Sequence, residues 1–367
     1  MSRVTGMKLT HFDLYRYGLP FSQPLTFEDI TLHRREGVLL RLCGDDGSQG
    51  WGETAPLPGF SRESLVEAAS QLRRLAASMM SREATDDWVD PYGEFARELA
   101  RAVPSVRFGF ELAVWNLYGA SSGRTLPELV TPTPRDEVPV NGLLSASPME
   151  ALEDARRMRD TGYQSIKLKV GARAVADDAA LVRALDTELG TDISLRLDAN
   201  RAWCYEEAAE FVHDTAGVRF EYIEEPLAHP TRLPDLVREF GVPVALDESL
   251  VGMEPEALEE YRHLRAFVLK PTLLGGLSRT LRIAERALLL GMTPVVSSAY
   301  ESGVGTAALV ALAAGIGERP VPAGLDTYRT MAADVLDTPL NLPAPSVGVR
   351  ETVDASRTIG VRRLRRL

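Results

Sequence analysis

Alternating polar and apolar positions dominate the first part of the chain and predict antiparallel strands. The stretches 7–17 and 30–54 alternate with a period of two and are interrupted by Asp-Asp-Gly and Gly-Trp-Gly, which are typical of turns. Apolar positions then recur with helical spacing over 61–80, where Ser61-Arg-Glu-Ser is expected to cap the helix, and over 104–120. The pattern therefore predicts a domain of mixed α and β structure.

A proline-rich segment, TPTPRDEVP at 131–139, separates this part from one in which short apolar strings alternate with amphipathic helices. Eight strings predict strands: VPVNGLLS, SIKLKV, SLRLDA, FEYIEEP, PVALDE, AFVLKP, TPVVSS and VPAGLD. Regular alternation over about 190 residues predicts a parallel sheet, and eight repeats favour a closed barrel over an open doubly wound sheet. No GxGxxG follows the first of these strands, as a dinucleotide-binding fold would require.

We therefore predict an α/β fold in three parts. An α+β capping domain spans 1–130 and a modified TIM barrel of the (β/α)7β type spans 131–326. The segment 327–367 lacks the pattern of an eighth barrel helix and is expected to return to the capping domain. Barrel enzymes build their active sites at the C-terminal ends of the strands, so this face of the barrel is where chemistry is expected.

Charged residues lie where apolar ones are expected, at the C-terminal ends of the predicted barrel strands. They are Lys167, Lys169, Asp198, Glu224, Asp247 and Lys270. From Lys169 onward, successive members are 29, 26, 23 and 23 residues apart, close to one strand and helix each, so they are expected to surround one mouth. Each carboxylate alone fits a helix cap or a surface charge equally well, but their succession on neighbouring strands indicates a site.

The three carboxylates predict a metal site. No histidine or cysteine accompanies Asp198, Glu224 or Asp247 at the predicted strand ends, and carboxylates alone are hard oxygen ligands. Such ligands suit Mg²⁺ or Mn²⁺ better than zinc or copper.

The lysines stand out because the chain otherwise uses arginine, and only four of its 41 basic residues are lysines. The period of a strand places Lys167 and Lys169 on one face, pointing into the barrel mouth. Two ammonium groups beside a divalent cation disfavour the charged form, so the pKa of a lysine here is expected to lie below its free value. Such a lysine can act as a general base near neutral pH, which an arginine cannot.

Composition and charge exclude several classes of partner. The net charge is −11 and no basic stripe is interleaved with aromatic residues, so no nucleic acid is expected to bind. Cys43 and Cys204 match no disulfide or zinc spacing and are expected to be reduced thiols. No signal-peptide pattern or membrane-spanning stretch is found, which predicts a soluble, cytoplasmic protein without a membrane partner, and a homo-oligomer is possible.

The strings KLK, RLDAN, IEEP, LDES and LKP at the strand ends resemble the enolase superfamily, and specifically its muconate-lactonizing subgroup. The resemblance implies an enolase-like fold in which a lysine removes the proton α to a carboxylate while Mg²⁺ stabilises the ene-diolate, the established strategy of that superfamily. A site like that of mandelate racemase would need a histidine on a late strand. That subgroup is excluded by the positions of the five histidines: His11, His33, His213, His229 and His263.

Longer strings at 50–65, 194–203, 268–277 and 297–305 resemble the o-succinylbenzoate synthase family. The resemblance implies a metal-dependent dehydratase of menaquinone biosynthesis, a hydro-lyase. Its substrate would be a small carboxylate, 2-succinyl-6-hydroxy-2,4-cyclohexadiene-1-carboxylate, and its product o-succinylbenzoate. N-succinylamino acid racemisation or dipeptide epimerisation on the same scaffold is the alternative, disfavoured because KPT replaces a KPGR-type sequence; a third possibility is a non-catalytic barrel subunit.

The resemblance also implies roles for individual residues. Lys169 would remove the α proton and then, as an ammonium, help the hydroxyl leave; Lys270 would lie across the ring, and Lys167 would tune Lys169. Asn200 and Glu225 are expected to support the metal ligands from behind. The residues expected to contact the substrate are Arg196, Ser297, Ser298 and Gly324.

Two positions depart from the pattern of that family. Tyr300 stands where a smaller or aliphatic residue is expected, and Gly303 stands where a serine is expected. The pocket for the succinyl group is therefore expected to differ from that of the family.

Overall fold

The computed structural model describes residues 6–27 and 30–367. The chain begins with an antiparallel meander of β1 (Leu9–Phe27), β2 (Ile30–Gly44) and β3 (Gln49–Thr54), as the alternating pattern predicts. Four helices follow: α1 (Leu65–Ser78), α2 (Glu94–Leu99), α3 (Pro104–Ser122) and α4 (Leu126–Val130). Together these elements form a capping unit with a shared apolar core.

The start of α1 differs from the prediction. Ser64 caps the helix, with its hydroxyl accepting from the backbone N–H of Glu67 while the Glu67 carboxylate accepts from Ser64. Ser61 lies before the helix, where its hydroxyl accepts from the N–H of Leu57. The reciprocal pair needs an acidic or amide side chain three residues after the cap, which Ser64 has and Ser61 lacks.

Glycines allow α3 to approach the meander closely. A Cβ on Gly52 would lie 1.9 Å from the carbonyl oxygen of Gly109, and one on Gly50 would lie 2.0 Å from that of Ala113. Neither position tolerates a side chain, so the backbone contact fixes how the helix crosses β3.

The second part of the chain alternates strands and helices. Its strands are β4 (Glu137–Pro139), β5 (Gly142–Leu143), β6 (Ser165–Lys169), β7 (Ser194–Asp198), β8 (Tyr222–Glu224), β9 (Val244–Leu246), β10 (Ala266–Leu269) and β11 (Thr293–Val296). Its helices are α5 (Pro148–Thr161), α6 (Val175–Leu189), α7 (Tyr205–Asp214), α8 (Leu233–Phe240), α9 (Pro271–Leu274), α10 (Leu277–Leu289) and α11 (Gly303–Gly315). Short 3₁₀ helices at 86–89, 230–232, 248–250, 255–261, 326–330 and 361–363 join the elements.

Strands β5 to β11 form one parallel sheet in sequence order, and the predicted α/β barrel with an α+β cap is confirmed. The predicted eighth strand, VPAGLD, forms only single bridges, from Ala323 to Val140 and from Gly324 to Ser297. These bridges join the two edges of the sheet and close the barrel.

The last segment includes β12 (Ser346–Gly348), α12 (Val349–Ala355) and β13 (Arg365–Arg366). Strand β12 pairs with β4, and β13 pairs with β1 in the cap. The domain boundaries at 130 and 326 stay predictions. Among the residues that the structure describes, none of the helices has the length and apolar character needed to cross a membrane.

Two buried glutamates join the cap to the barrel. Glu53, at the end of β3, accepts hydrogen bonds from the N–H groups of Ser302 and Gly305 at the start of α11. Glu111, on α3, accepts from the N–H of Ser278 at the start of α10. Because a helix N-terminus has unpaired N–H groups, a carboxylate from the cap satisfies them and fixes the cap over the barrel mouth.

Candidate active site

The six charged residues meet at the barrel mouth, as their spacing predicts. Lys169, Asp198 and Glu224 end β6, β7 and β8, where they lie side by side in register. Asp247 and Lys270 follow β9 and β10 directly. The three carboxylates are at least 97% buried, whereas the Lys169 side chain is 48% exposed and therefore reaches the open cavity.

The lysines contact the carboxylates. Lys167 Nζ lies 2.8 Å from Asp198 Oδ2 and 2.7 Å from Glu224 Oε2. Lys270 pairs with Asp247, and Lys169 Nζ lies 3.4 Å from the Asp198 oxygen already bound by Lys167. The buried negative charge is therefore compensated inside the site.

Without a bound cation, the pKa values of two of the site lysines, Lys167 and Lys270, are raised. Burial opposes the charged form of Lys167, but attraction by Asp198 and Glu224 outweighs it and raises the pKa of Lys167 well above its ordinary value. The same balance, with Asp247 as the main partner, raises the pKa of Lys270. The expectation of lowered lysine pKa values included the charge of a bound cation, whereas here the carboxylates act on the lysines directly.

The donor set fits a divalent cation in chemistry and charge. Glu224 Oε1 is buried with no hydrogen-bond partner in the described part of the chain, and an unpaired buried carboxylate oxygen is costly without a cation or a donor. With the lysines in their present positions, however, the residues that the structure describes contain no group of three or more His, Cys, Asp or Glu side chains arranged to hold a metal ion. Metal binding therefore requires the lysine ammonium groups to release some of their contacts with the carboxylates.

Glu225 lies behind the predicted metal ligands and fixes the loop after β9. Its carboxylate accepts from the N–H groups of Asp247 and Ser249, at 2.9 and 2.7 Å, and from Arg201 Nε at 3.0 Å. Glu225 and Arg201 have φ values of +41° and +62°, which are unfavourable for residues with side chains. The hydrogen bonds hold this unfavourable backbone, and with it the direction in which Asp247 leaves the strand.

Asn200 links a catalytic candidate to the next loop. Its side-chain Oδ1 accepts from Lys169 Nζ, and its Nδ2 donates to Glu248 Oε1 at 3.1 Å. Its backbone N–H also donates to Asp198 Oδ1 at 3.0 Å. Glu248, which the sequence reasoning missed although it follows Asp247 at a strand end, thus orients the amide that contacts Lys169.

A cavity opens above these residues, at the C-terminal ends of the barrel strands where barrel enzymes hold their substrates. Its polar wall includes Lys167, Lys169, Asp198, Asn200 and Lys270. Three residues predicted to contact substrate also line it: Ser297, Ser298 and Gly324. The remaining lining residues are Phe27, Leu57, Phe60, Asn141, Leu143, Leu273, Ala299, Tyr300, Asp326 and Thr327.

Arg196 does not line this cavity. It lies two residues before Asp198 on the same face of β7, one layer deeper in the barrel, where it is buried. Its guanidinium donates to Glu221 at 2.8 Å and to the carbonyl of Pro322 at 2.8 Å. The structure therefore gives Arg196 a place in the barrel interior rather than among the lining residues.

The aromatic wall of the cavity was missed by the sequence reasoning. Phe27 lies edge-to-face with Phe60, at 5.2 Å between ring centroids, and with Tyr300 at 5.7 Å. Phe27 and Phe60 come from the cap and Tyr300 from the loop after β11. The sequence showed only that Tyr300 departs from the pattern of the family. No sequence pattern relates Phe27 and Phe60 to Tyr300, because these positions are more than 200 residues apart.

Comparison with known proteins defines the class of this fold and site. Residues 150–352 match the family described as Enolase C-terminal domain-like. Residues 9–117 match the family described as MenC, N-terminal domain. The chain thus combines an enolase-type barrel with a cap of the MenC type.

Relatives narrow this class. The o-succinylbenzoate synthase of Enterobacter sp. (strain 638) is 34% identical over 88% of this chain and 92% of the relative. The o-succinylbenzoate synthase of Vibrio cholerae serotype O1 (strain M66-2) is 34% identical over 94% of this chain and 97% of the relative. Protein PHYLLO, chloroplastic, of Arabidopsis thaliana is 30% identical over 98% of this chain, which spans 23% of that longer protein. This chain belongs to the o-succinylbenzoate synthase family, and the family predicted from its motifs is confirmed.

Solved structures agree on the fold. Muconate lactonizing enzyme from Pseudomonas fluorescens, complexed with muconolactone, has a TM-score of 0.79 at 25% identity and matches over 91% of each chain. N-succinyl Arg/Lys racemase from Bacillus cereus has a TM-score of 0.81 at 21% identity, covering 95% of this chain and 97% of the other.

Proposed function

We propose that this protein is an o-succinylbenzoate synthase, a hydro-lyase of menaquinone biosynthesis. It converts 2-succinyl-6-hydroxy-2,4-cyclohexadiene-1-carboxylate to o-succinylbenzoate and water. The observation that carries the proposal is that Lys169 and Lys270, from separate strands, line one cavity above three buried carboxylates. The curated relatives with this activity, about one-third identical over most of the chain, support it.

We infer that Asp198, Glu224 and Asp247 hold a divalent cation, Mg²⁺ or Mn²⁺, as carboxylate oxygens favour. When bound, the cation stabilises negative charge that develops on the substrate carboxylate as the α proton leaves. With Lys169 as the neutral amine, the three carboxylates contribute −3 and the ammonium groups of Lys167 and Lys270 contribute +2, so a net charge of −1 remains to attract the cation. Glu225 maintains the backbone from which Asp247 reaches the site.

Lys169 removes the proton α to the ring carboxylate. Of the three site lysines it has the most exposed side chain, and Asn200 holds its amine toward the cavity. The neutral amine accepts the proton, and the resulting ammonium returns it to the departing hydroxyl group, so water leaves and the ring becomes aromatic. The ammonium of Lys270 lies on the opposite side and stabilises the anionic substrate, while Lys167 neutralises Asp198 and Glu224 from below.

N-succinylamino acid racemisation or dipeptide epimerisation is the second candidate. It is favoured by one observation, that Lys169 and Lys270 both reach the cavity and could exchange a proton on opposite faces of one carbon. Dehydration needs only one of these two lysines as a base.

Assaying both substrate classes with the purified protein tests the proposal. Dehydration that is restored by Mg²⁺ after chelation, with at most slow racemisation, is the expected result. Turnover of succinylamino acids or dipeptides alone would promote the second candidate, and dehydration unaffected by thorough metal removal would contradict the proposed mechanism. Action in the cytoplasm, absence of nucleic-acid binding and assembly into a homo-oligomer stay predictions from the sequence.

A further inference from the structure

Tyr300 is one of the residues that line the substrate cavity. It lies in the loop between β11 and α11 and lines the same cavity as Lys167 and Lys270. The charges of Lys270 and Lys167 act on the phenol, although burial has the larger effect and raises the pKa of Tyr300. Within the described residues, the hydrogen bonds of Tyr300 come from its backbone, so the hydroxyl is available to a ligand.

The backbone of Tyr300 is held in an unfavourable conformation. Its φ is +62°, in the left-handed region that is unfavourable for a residue with a side chain. Arg35, a buried residue of β2, donates from Nε to the Tyr300 carbonyl at 3.0 Å and from Nη1 to the Pro56 carbonyl at 2.7 Å. The Tyr300 N–H donates to Ser298 Oγ at 2.9 Å. The cap and the barrel therefore both fix this residue.

The side-chain ring of Tyr300 is also held in place, by two phenylalanine rings of the cap. Phe21 and Phe27 of β1 pack edge-to-face against it, at 5.9 and 5.7 Å between centroids. A ring held on two sides, on a backbone fixed by Arg35, cannot move aside without losing these contacts. It therefore forms a rigid end wall next to Ser298, which also lines the cavity.

We propose that Tyr300 determines which substrates this enzyme accepts, by closing the cavity beside Ser298 to acyl chains longer than succinyl and by donating its hydroxyl to an oxygen of the substrate. The inference rests on the proposed function and adds a residue that departs from the pattern of the family. Arg35 acts as a positioning residue, since it contacts the carbonyl of Tyr300 and not the cavity.

Binding of o-succinylbenzoate and of a homologue with two more methylenes in the acyl chain tests this inference. Wild-type protein is expected to bind o-succinylbenzoate at least tenfold more tightly than the homologue, by isothermal titration with Mg²⁺ present. Tyr300→Gly, which suits a positive φ, opens the wall and is expected to bring the two affinities within threefold. Tyr300→Phe keeps the wall but loses one hydrogen bond, so both affinities fall by about two- to twelvefold while their ratio stays.

Tyr92→Ala is the matched control, because Tyr92 is an exposed tyrosine of the cap, and it is expected to leave the ratio unchanged. Should Tyr300→Gly fail to fold by circular dichroism, Tyr300→Asn replaces it, since asparagine also tolerates this backbone region. If Tyr300→Gly or Tyr300→Asn keeps the wild-type ratio of the affinities for o-succinylbenzoate and its longer homologue, the inference is overturned. The dehydratase function would not be affected by that result. Wild-type protein that neither dehydrates the substrate nor binds o-succinylbenzoate overturns the proposed function, and this inference with it.

Discussion

The buried carboxyl of Glu111 makes the stability of the protein depend on pH. Burial is the main cause that raises the pKa of Glu111 from 4.5 to about 7, against the opposing hydrogen bonds of Ser278 and the charge of Arg107. Its Oε1 atom is buried with no partner among the described residues, while Oε2 accepts from the Ser278 N–H at 3.0 Å. The folded protein therefore keeps a proton that the unfolded chain releases between pH 4.5 and 7.

The difference in the pKa of Glu111 between the folded and unfolded states sets the sign and the size of the change in the free energy of unfolding with pH. Because the folded state binds more protons in that window, the free energy of unfolding falls as pH rises through it and then levels off above pH 7. A difference of about 2.5 pKa units corresponds to about 3 kcal/mol at pH 8, and to less than about 1 kcal/mol at pH 5. Glu111→Gln removes the ionisation but keeps an acceptor for Ser278.

Urea denaturation of wild type and Glu111→Gln at pH 5 and pH 8 measures the effect. The stability of the variant relative to wild type is expected to rise by about 2–3 kcal/mol between the two pH values. Glu210→Gln, at an exposed helix position, is the control and should show no such change. A difference between Glu111→Gln and wild type that is the same at both pH values would refute the reasoning.

Three further predictions concern the site and its support. Glu225→Gln removes the charge that holds the loop of Asp247 and is expected to weaken Mg²⁺ binding by about 10- to 100-fold by titration calorimetry; unchanged affinity would contradict its supporting role. Lys270→Ala is expected to abolish any racemisation of succinylamino acids, measured as inversion at the α carbon, because Lys169 alone serves one face, and undiminished racemisation would exclude a two-lysine mechanism. Gly52→Ala places a Cβ 1.9 Å from the Gly109 carbonyl and is expected to lower the free energy of unfolding by about 1–3 kcal/mol, whereas wild-type stability in urea would show that α3 can shift.

The barrel could be predicted because strands with a period of two alternate with helices, and the mouth because parallel strands bring their ends together. The charges of Asp198 and Glu224 lie in register on adjacent strands, so their meeting follows from spacing alone. Sequence reasoning could not show that Lys167 bridges these two carboxylates, since rotamers decide that contact.

Other features depend on depth and on long-range packing. Arg196 and Asp198 lie on the same face of β7. The alternation of residues along a strand gives the face but not the depth, so it does not distinguish the barrel mouth from the layer beneath it. Arg196 lies in that deeper layer, where its guanidinium donates to Glu221. The aromatic wall joins Phe27 to Tyr300 across most of the chain, and only the folded cap brings them together. The capping of α1 by Ser64 could have been predicted from its spacing to Glu67.

Replacement of Lys169 tests the central claim most directly. Lys169→Ala removes the base, and Lys169→Arg restores a positive charge that cannot accept a proton at neutral pH. Both variants are expected to lose dehydration of 2-succinyl-6-hydroxy-2,4-cyclohexadiene-1-carboxylate by at least about 1,000-fold while still binding Mg²⁺ and o-succinylbenzoate. Dehydration within tenfold of wild type by either folded variant would contradict the assignment of Lys169 as the base.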